Sequence, residues 1–264
     1  NPIDLRNHDS KEEVSPEGYA KLMNEATNSD DFTAEMFPKS FFGPEPIYEA
    51  WNFSLKSFRE ASEHAIQNGR KAYDGIIIGE NSFGFSMTYG AFDANQIKSA
   101  TDNSGAFSQT NDSILWQSQD NDLQSQIDAD YDAVYNQYHG TDQWLKAPNG
   151  KDSNLTERQW VQTRTPAYKA WFGDWEKDPG NASKVLDENG EPKVVYHGAT
   201  ATFDTFAKTT DIGYHFGTRA QAEEAQYHHY NNEGPYWGSG EPEEGEFPMM
   251  ELFLNLRNPV TGII

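Results

Sequence analysis

Apolar residues fall along this chain in short periodic bursts separated by polar, glycine-rich stretches. Over Ser54–Lys71, Leu55, Phe58, Ala61, Ala65 and Ile66 recur at helical spacing and Asn68-Gly69 supplies a stop, which predicts an amphipathic helix. Tyr73-Asp74-Gly75-Ile76-Ile77-Ile78 then reads as a buried strand and Gly79–Phe85 as a glycine-containing loop. Met87–Phe92 reads as a second strand, with Ile97 adding a short third segment. Residues 1–50 are acidic and punctuated by Pro and Gly, with one short helix predicted over Pro16–Glu25.

The pattern changes after residue 100. Thr101–Ser113 is rich in Asn, Ser, Asp and Gly and reads as a loop, as does Gly140–Asn154. Between them, Leu123–Tyr138 carries Ile127, Tyr131, Val134, Tyr135 and Tyr138 at helical spacing. Residues 101–156 therefore read as a connector with one helix. A new module opens at Thr156-Glu157-Arg158-Gln159 and Thr165-Pro166-Ala167-Tyr168, the latter a helix start with proline at the first position. Trp171-Phe172-Gly173 ends that helix. Lys184–Leu186 and Lys193–Tyr196 flank an Asn189-Gly190 turn and predict a hairpin. Phe203 and Phe206 are candidate core residues, Gly213–Thr218 a short strand, Arg219–His229 a helix, Asn231–Phe247 a loop and Met249–Leu256 an apolar strand.

Composition narrows the classes. Aromatics are plentiful, with 7 Trp, 13 Tyr and 16 Phe, enough for a core in 264 residues. The formal net charge of −22, with no Lys/Arg cluster, argues against binding a nucleic-acid backbone through a basic patch. Scattered acids favour a solvated surface over an acidic nucleic-acid mimic. Zero cysteines excludes disulfides and cysteine-ligated zinc. No apolar run approaches the roughly 18 residues of a membrane span. The first residue is Asn rather than Met, as expected of a processed or excised piece. The Asn-X-Ser/Thr triplets at Asn52, Asn111, Asn154 and Asn181 are expected by chance in so Asn-rich a chain.

The candidate chemistry centres on Lys193-Val194-Val195-Tyr196-His197-Gly198-Ala199, an apolar run ending in His-Gly. Such a strand end suits gripping a small polar ligand, and equally suits a strand-end histidine beside a turn glycine. Arg164–Asp174, the Asp187–Gly198 hairpin, His215-Phe216-Gly217-Thr218, Leu252–Pro259, Tyr73–Ile78 and Tyr89–Ala100 together resemble the phage- and mobile-element-associated ADP-ribosyltransferase family of large polyvalent proteins. Relative to that family the halves stand in reverse order, and Asn258-Pro259-Val260 matches Asn1-Pro2-Ile3. Tandem repeats cut mid-copy, or a circular permutation, give this order. The resemblance implies an α+β fold, an ADP-ribosyltransferase-like split β-sandwich with peripheral helices. Residues 1–100 form its closing half, 101–156 the connector and 157–264 its opening half. Unpaired halves would expose apolar strand edges, so the halves are expected to pair within one chain, or in a domain-swapped dimer.

What the resemblance implies is cleavage of the nicotinamide–ribose bond of NAD, as substrate, and transfer of ADP-ribose to a host macromolecular acceptor. The transition state is oxocarbenium-like, as in glycoside cleavage. His197 would hydrogen-bond a ribose hydroxyl and Gly198 would offer its backbone to the carboxamide. Tyr214 and His215 sit on opposite faces of one strand, so one should face ligand and the other pack. Tyr227 could close the pocket or simply pack in the core. His228 and His229 with Glu223 and Glu224 form a His/Glu cluster of metal-ligand type, but adjacent helical histidines diverge, so surface positions and no metal are expected. The family's Glu is replaced by Thr88, with Glu80 the nearest acidic substitute. A carboxylate about 4 Å from the developing cation is worth up to about 4 kcal/mol at an effective dielectric near 20. Its loss is roughly a thousandfold in rate.

Two functions follow as expectations. The first is an active, toxin-like transferase module working in the cytoplasm of a bacterial host, delivered from a virion or mobile element. The second is a catalytically inactive relative serving as an interaction or virion-internal structural piece.

Overall fold

The structure, a computed structural model, describes residues 3–4, 20–21, 24, 30–36, 55–80, 86–115, 120–199, 201–207, 214–233 and 248–263. The fold is α+β, with two sheets and, among the described residues, five α-helices. The chain divides into two compact units. Unit 1 comprises residues 1–92, 208–215 and 258–264; unit 2 comprises 93–207 and 216–257.

Unit 1 is built on a sheet of five strands in the order β1-β8-β2-β3-β6. Its members are β1 (Ile3–Asp4), β2 (Gly75–Glu80), β3 (Ser86–Ala91), β8 (Val260–Ile263) and β6 (Tyr214–Phe216), whose last residue falls in unit 2. β2 and β3 form an antiparallel pair from Gly75↔Ala91 to Glu80↔Ser86. On its other side β2 runs parallel to β8, with Ile76 opposite Val260. Ile76, Ile77 and Ile78 are all buried, the continuous apolar run expected of a strand covered on both faces. Helix α1 (Leu55–Gln67) ends before Asn68-Gly69, where Gly69 takes a φ of 75°, and it buries Ala61 and Ala65. Ile66, assigned by spacing to the same apolar stripe, is exposed. Ser62 Oγ accepts from the Tyr73 amide at 3.0 Å and so ties α1 to the start of β2. Arg70 pairs with Asp30 and with buried Asp31. Of the helix predicted over Pro16–Glu25, Ala20, Lys21 and Asn24 are helical; the remainder lies outside the described residues.

Unit 2 holds the second sheet, β4-β7-β5, with β4 (Ile97–Ser99), β7 (Met249–Leu254) and β5 (Val195–Gly198) all antiparallel. Its helices are α2 (Asn121–Tyr138), α3 (Glu157–Gln162), α4 (Pro166–Phe172) and α5 (Arg219–Glu233). Sequence chemistry fixes the helix starts. Thr156 and Gln159 form a capping box at α3, and Thr165 caps α4 with Pro166 in the first turn. Gly173 closes α4 at φ 100°, and an added Cβ there would meet the Ala182 Cα at 2.4 Å. Gly190 turns the 187–191 hairpin at φ 83°, with the Asp187 Oδ1 accepting from the amides of Asn189 and Glu191.

In each unit, a strand from the first hundred residues hydrogen-bonds one from near the chain's end: β2 with β8, and β4 with β7. The 101–156 stretch, read from composition as a connector, contributes Phe107, Val134 and Leu155 to the core of unit 2 beside Trp160, Tyr168 and Trp171. Polar side chains make this possible. Asn103 accepts from the Gly105 amide at 2.8 Å and donates to the Ile114 carbonyl at 3.1 Å. Lys98, fully buried, donates to the carbonyls of Asn111 and Ser113. The turns therefore satisfy their backbone groups away from water.

Behind the hairpin, Arg164 is sandwiched between Trp160 (3.6 Å to the ring centre) and Trp175 (5.0 Å) and pairs with Glu191 at 2.9 Å. Ser153 donates to the other oxygen of Glu191 at 2.5 Å. Both ions are buried, and Arg164 also donates to the carbonyls of Trp160 and Lys146, the condition under which such a pair is tolerated.

Candidate functional site

β5 places His197 at the penultimate position of a strand whose pairing with β7 sets Tyr196 opposite Glu251 and His197 opposite Met250. Tyr196 also exchanges two backbone hydrogen bonds with Gly217, at 2.9 and 3.1 Å. The alternation of a strand then divides the neighbours into two faces. His197 is half-buried, and its ring stands against Phe206 (5.0 Å between centres), Phe216 (5.6 Å) and Phe203 (6.3 Å). Phe203 and Phe206 are themselves edge-to-face at 4.8 Å. The His197 face is thus an aromatic basket, a place where a hydrogen bond to imidazole is shielded from water.

The other face of β5 is covered by α5. Thr218 and Gln221 start this helix reciprocally: the Thr218 amide donates to Gln221 Oε1 at 2.7 Å, and the Gln221 amide to Thr218 Oγ1 at 3.3 Å. An added Cβ on Gly198 would lie 2.1 Å from the Ala222 carbonyl oxygen and 2.5 Å from Gln226 Cγ. The bare backbone of Gly198 is what lets α5 approach. Gln226 then donates to the carbonyls of Ala199 and Pro248, at 3.0 and 2.8 Å, and locks the helix over the strand ends. Tyr227 rides on this helix and is 44 % exposed.

The same face carries a charged group that reading the sequence passed over. Arg219 lies over the Tyr196 ring at 4.8 Å and pairs with Glu251 at 3.0 Å. Glu251 is therefore a carboxylate one strand from His197, pointing to the opposite side of the sheet. Only the strand register reveals it; along the chain it lies 54 positions away, inside an apolar run.

Other candidate residues belong to unit 1. Thr88 is half-buried on β3, opposite Ile78, and Glu80 ends β2 opposite Ser86; the side chain of Glu80 lies outside the described residues. On β6, next to β3 in the sheet, Tyr214 is buried and His215 exposed. The strand thus turns Tyr214 inward and His215 outward. Burial pushes the phenol of Tyr89, the residue after Thr88, up to about 12, so this part of β3 is an apolar environment in which a charge is costly.

The side chains of His228 and His229 lie outside the described residues. Among the described residues no group of three or more His, Asp or Glu could hold a metal ion, and no helix is long and apolar enough to cross a membrane. No family model, no curated protein and no solved structure matches the chain.

Proposed function

We propose that the chain is an ADP-ribosyltransferase-like module of a phage or mobile-element polyvalent protein. It cleaves NAD at the nicotinamide–ribose bond and transfers ADP-ribose to a host macromolecule. Its fold is a split β-sandwich assembled from two halves of the chain in permuted order. The observation that carries this reading is the hydrogen bonding of early strands to late ones, β2 to β8 and β4 to β7. That is what a domain whose closing half precedes its opening half requires.

The chemistry would run as follows. Nicotinamide leaves with the bonding electron pair, and positive charge develops on the ribose anomeric carbon. An acceptor nucleophile then attacks that carbon and loses its proton. His197, held against Phe206 and Phe216, hydrogen-bonds a ribose hydroxyl. His215 offers its ring from an exposed strand position, with Tyr214 packed behind it. The resemblance assigns the acid to Glu80 in place of Thr88, whose hydroxyl carries no charge.

Two observations favour a second reading, an inactive relative that acts by interaction. Thr88 brings no charge to its strand, and the open side of Gly198 is filled by α5. NAD labelled in its adenylate discriminates the two. Label transfer to a bacterial lysate, or release of nicotinamide, supports the transferase; it should vanish in His197→Ala and fall about a thousandfold in Glu80→Gln. No transfer, no nicotinamide release and no NAD binding would sink the transferase and leave the interaction role.

A further inference from the structure

Unit 2 contains a cleft whose hydrogen-bonding groups are unbalanced. It lies where α2 meets α3 and the start of α4, beside the 103–105 turn, and encloses about 270 Å³. Helix α2 lines it with Asp128, Asp130, Tyr131 and Asp132, and α3 with Arg158 and Gln162.

Gln162 is the least ordinary of these. It is 3 % exposed, and its Nε2 donates to the Asn103 carbonyl at 3.2 Å. Its Oε1 is buried and has no hydrogen-bond partner. Buried acceptors without a donor are rare in folded proteins and call for an explanation. Arg158 does not provide it: its Nη2 donates at 2.9 Å to the same Asn103 carbonyl. Two carboxylates are oriented from within α2, Asp128 by Gln124 and Asp130 by Gln126, through neutral donors that leave their charge in place. Three carboxylates and one guanidinium make the wall electronegative. Tyr131 adds an aromatic ring of the kind that attracts cations.

We propose that this cleft binds a small organic cation carrying N–H donors, of the guanidinium class. One N–H meets Gln162 Oε1, and the charge is balanced by the α2 carboxylates and the Tyr131 ring. Among the described residues the carboxylates do not converge into a metal-ligating group, which disfavours an inorganic cation. A guanidinium matches both needs at once, since its donors are planar and its charge is diffuse and weakly hydrated.

The test is a titration of the full chain with agmatine, followed by NMR at the Gln162 side-chain amide and the Tyr131 ring. Saturable shifts of both are expected. Tetramethylammonium, which has charge without N–H groups, and urea, which has N–H groups without charge, should each bind at least about tenfold more weakly. Gln162→Met removes the acceptor and should weaken agmatine about tenfold. Asp130→Asn should weaken it about threefold, an effect that shrinks with added salt. No shift at about 10 mM agmatine, a concentration that would reveal even weak binding, overturns the proposal. So does urea binding as well as agmatine, or unchanged affinity in Gln162→Met. If Gln162→Met fails to fold, unchanged affinity in Asp130→Asn overturns it alone.

Discussion

The two units solve the same topological problem with different materials. In unit 1 the central strand buries Ile76, Ile77 and Ile78 in succession, and β8 pairs beside it in parallel. In unit 2 the three-stranded sheet stands beside a core of large aromatics, and polar side chains are buried within it: Lys98, Glu191, Arg164 and Gln162. Aliphatic burial is non-directional and tolerates shape changes of similar volume. Buried ions are not tolerant: each must keep its partner or become a liability. Unit 1 also buries an ion, Asp31, but pairs it with a part-exposed Arg70, whereas both members of the Arg164–Glu191 pair in unit 2 are buried, so unit 2 should be the more brittle of the two.

The sharpest break is at Arg164. Arg164→Ala strands Glu191 in the interior, where burial already pushes its carboxyl above the usual range against the pull of Ser153 and Arg164. The expected loss is about 3–5 kcal/mol, read as a lower urea midpoint by tryptophan fluorescence. Replacing both ions with apolar residues of similar volume, Arg164→Met with Glu191→Leu, should recover much of it. A single mutant that unfolds like the parent would remove the basis for calling unit 2 brittle.

Gly198→Ala tests whether the candidate strand is shaped by packing. The new methyl group meets the Ala222 carbonyl, a backbone atom that moves only with α5. The expected cost is about 1–3 kcal/mol, with faster amide exchange along α5. Were Gly198 instead kept bare to admit a ligand, the substitution would abolish NAD binding and leave α5 protected.

Alkaline titration should set the units against each other. Burial lowers Lys98 in unit 2 from 10.5 to about 8, and the Asp112 charge only partly offsets this. Between about 8 and 10.5 the unfolded chain then holds a proton that the folded chain lacks, so stability rises with pH in this window. Tyr89 in unit 1 has the opposite sign. Its folded value of about 12 exceeds the ordinary 10.0, so its contribution is complete below pH 10 and is lost as pH climbs to 12. Amide exchange at β4 and β2 across pH 8–10 should show β4 gaining protection relative to β2. Lys98→Met should erase the gain, while exposing the need of the Asn111 and Ser113 carbonyls for a donor.

The contrast between the units also explains what could be read along the chain. Local chemistry was visible: Thr156 with Gln159, Thr165 with Pro166, and Asn189-Gly190 each act within a few residues, and each marks a helix start or turn in the structure. The isoleucine strand was visible because burial on both faces writes a continuous apolar run. The core role of 101–156 was hidden because its turns use Asn103, and Lys98 beyond the stretch itself, to satisfy buried backbone, and polar turn residues look the same whether wet or dry. At the candidate site, the His-Gly strand end was legible. The placement of Glu251 and Arg219 beside Tyr196 was not, because it depends on β-strand register between distant segments. The division of candidate residues between the units likewise follows from long-range pairing rather than local pattern.

The smallest expected effect is the most diagnostic of how unit 2 is packed. Tyr168 is fully buried among Phe107, Trp171, Phe172 and Phe253, and its hydroxyl has no hydrogen-bond partner. The surrounding indoles behave differently: Trp160, Trp171 and Trp175 each donate to a carbonyl at 3.0 Å. Burial raises the Tyr168 phenol well above its usual value, so the group stays neutral through the physiological range. Tyr168→Phe removes an unmatched polar atom at the cost of a small void. The desolvation term and the void oppose each other, and the net should be a gain of up to about 1 kcal/mol. A loss of about 1 kcal/mol or more would mean the hydroxyl is held by a buried water, and that the aromatic core of unit 2 is as dependent on polar matching as its ion pair.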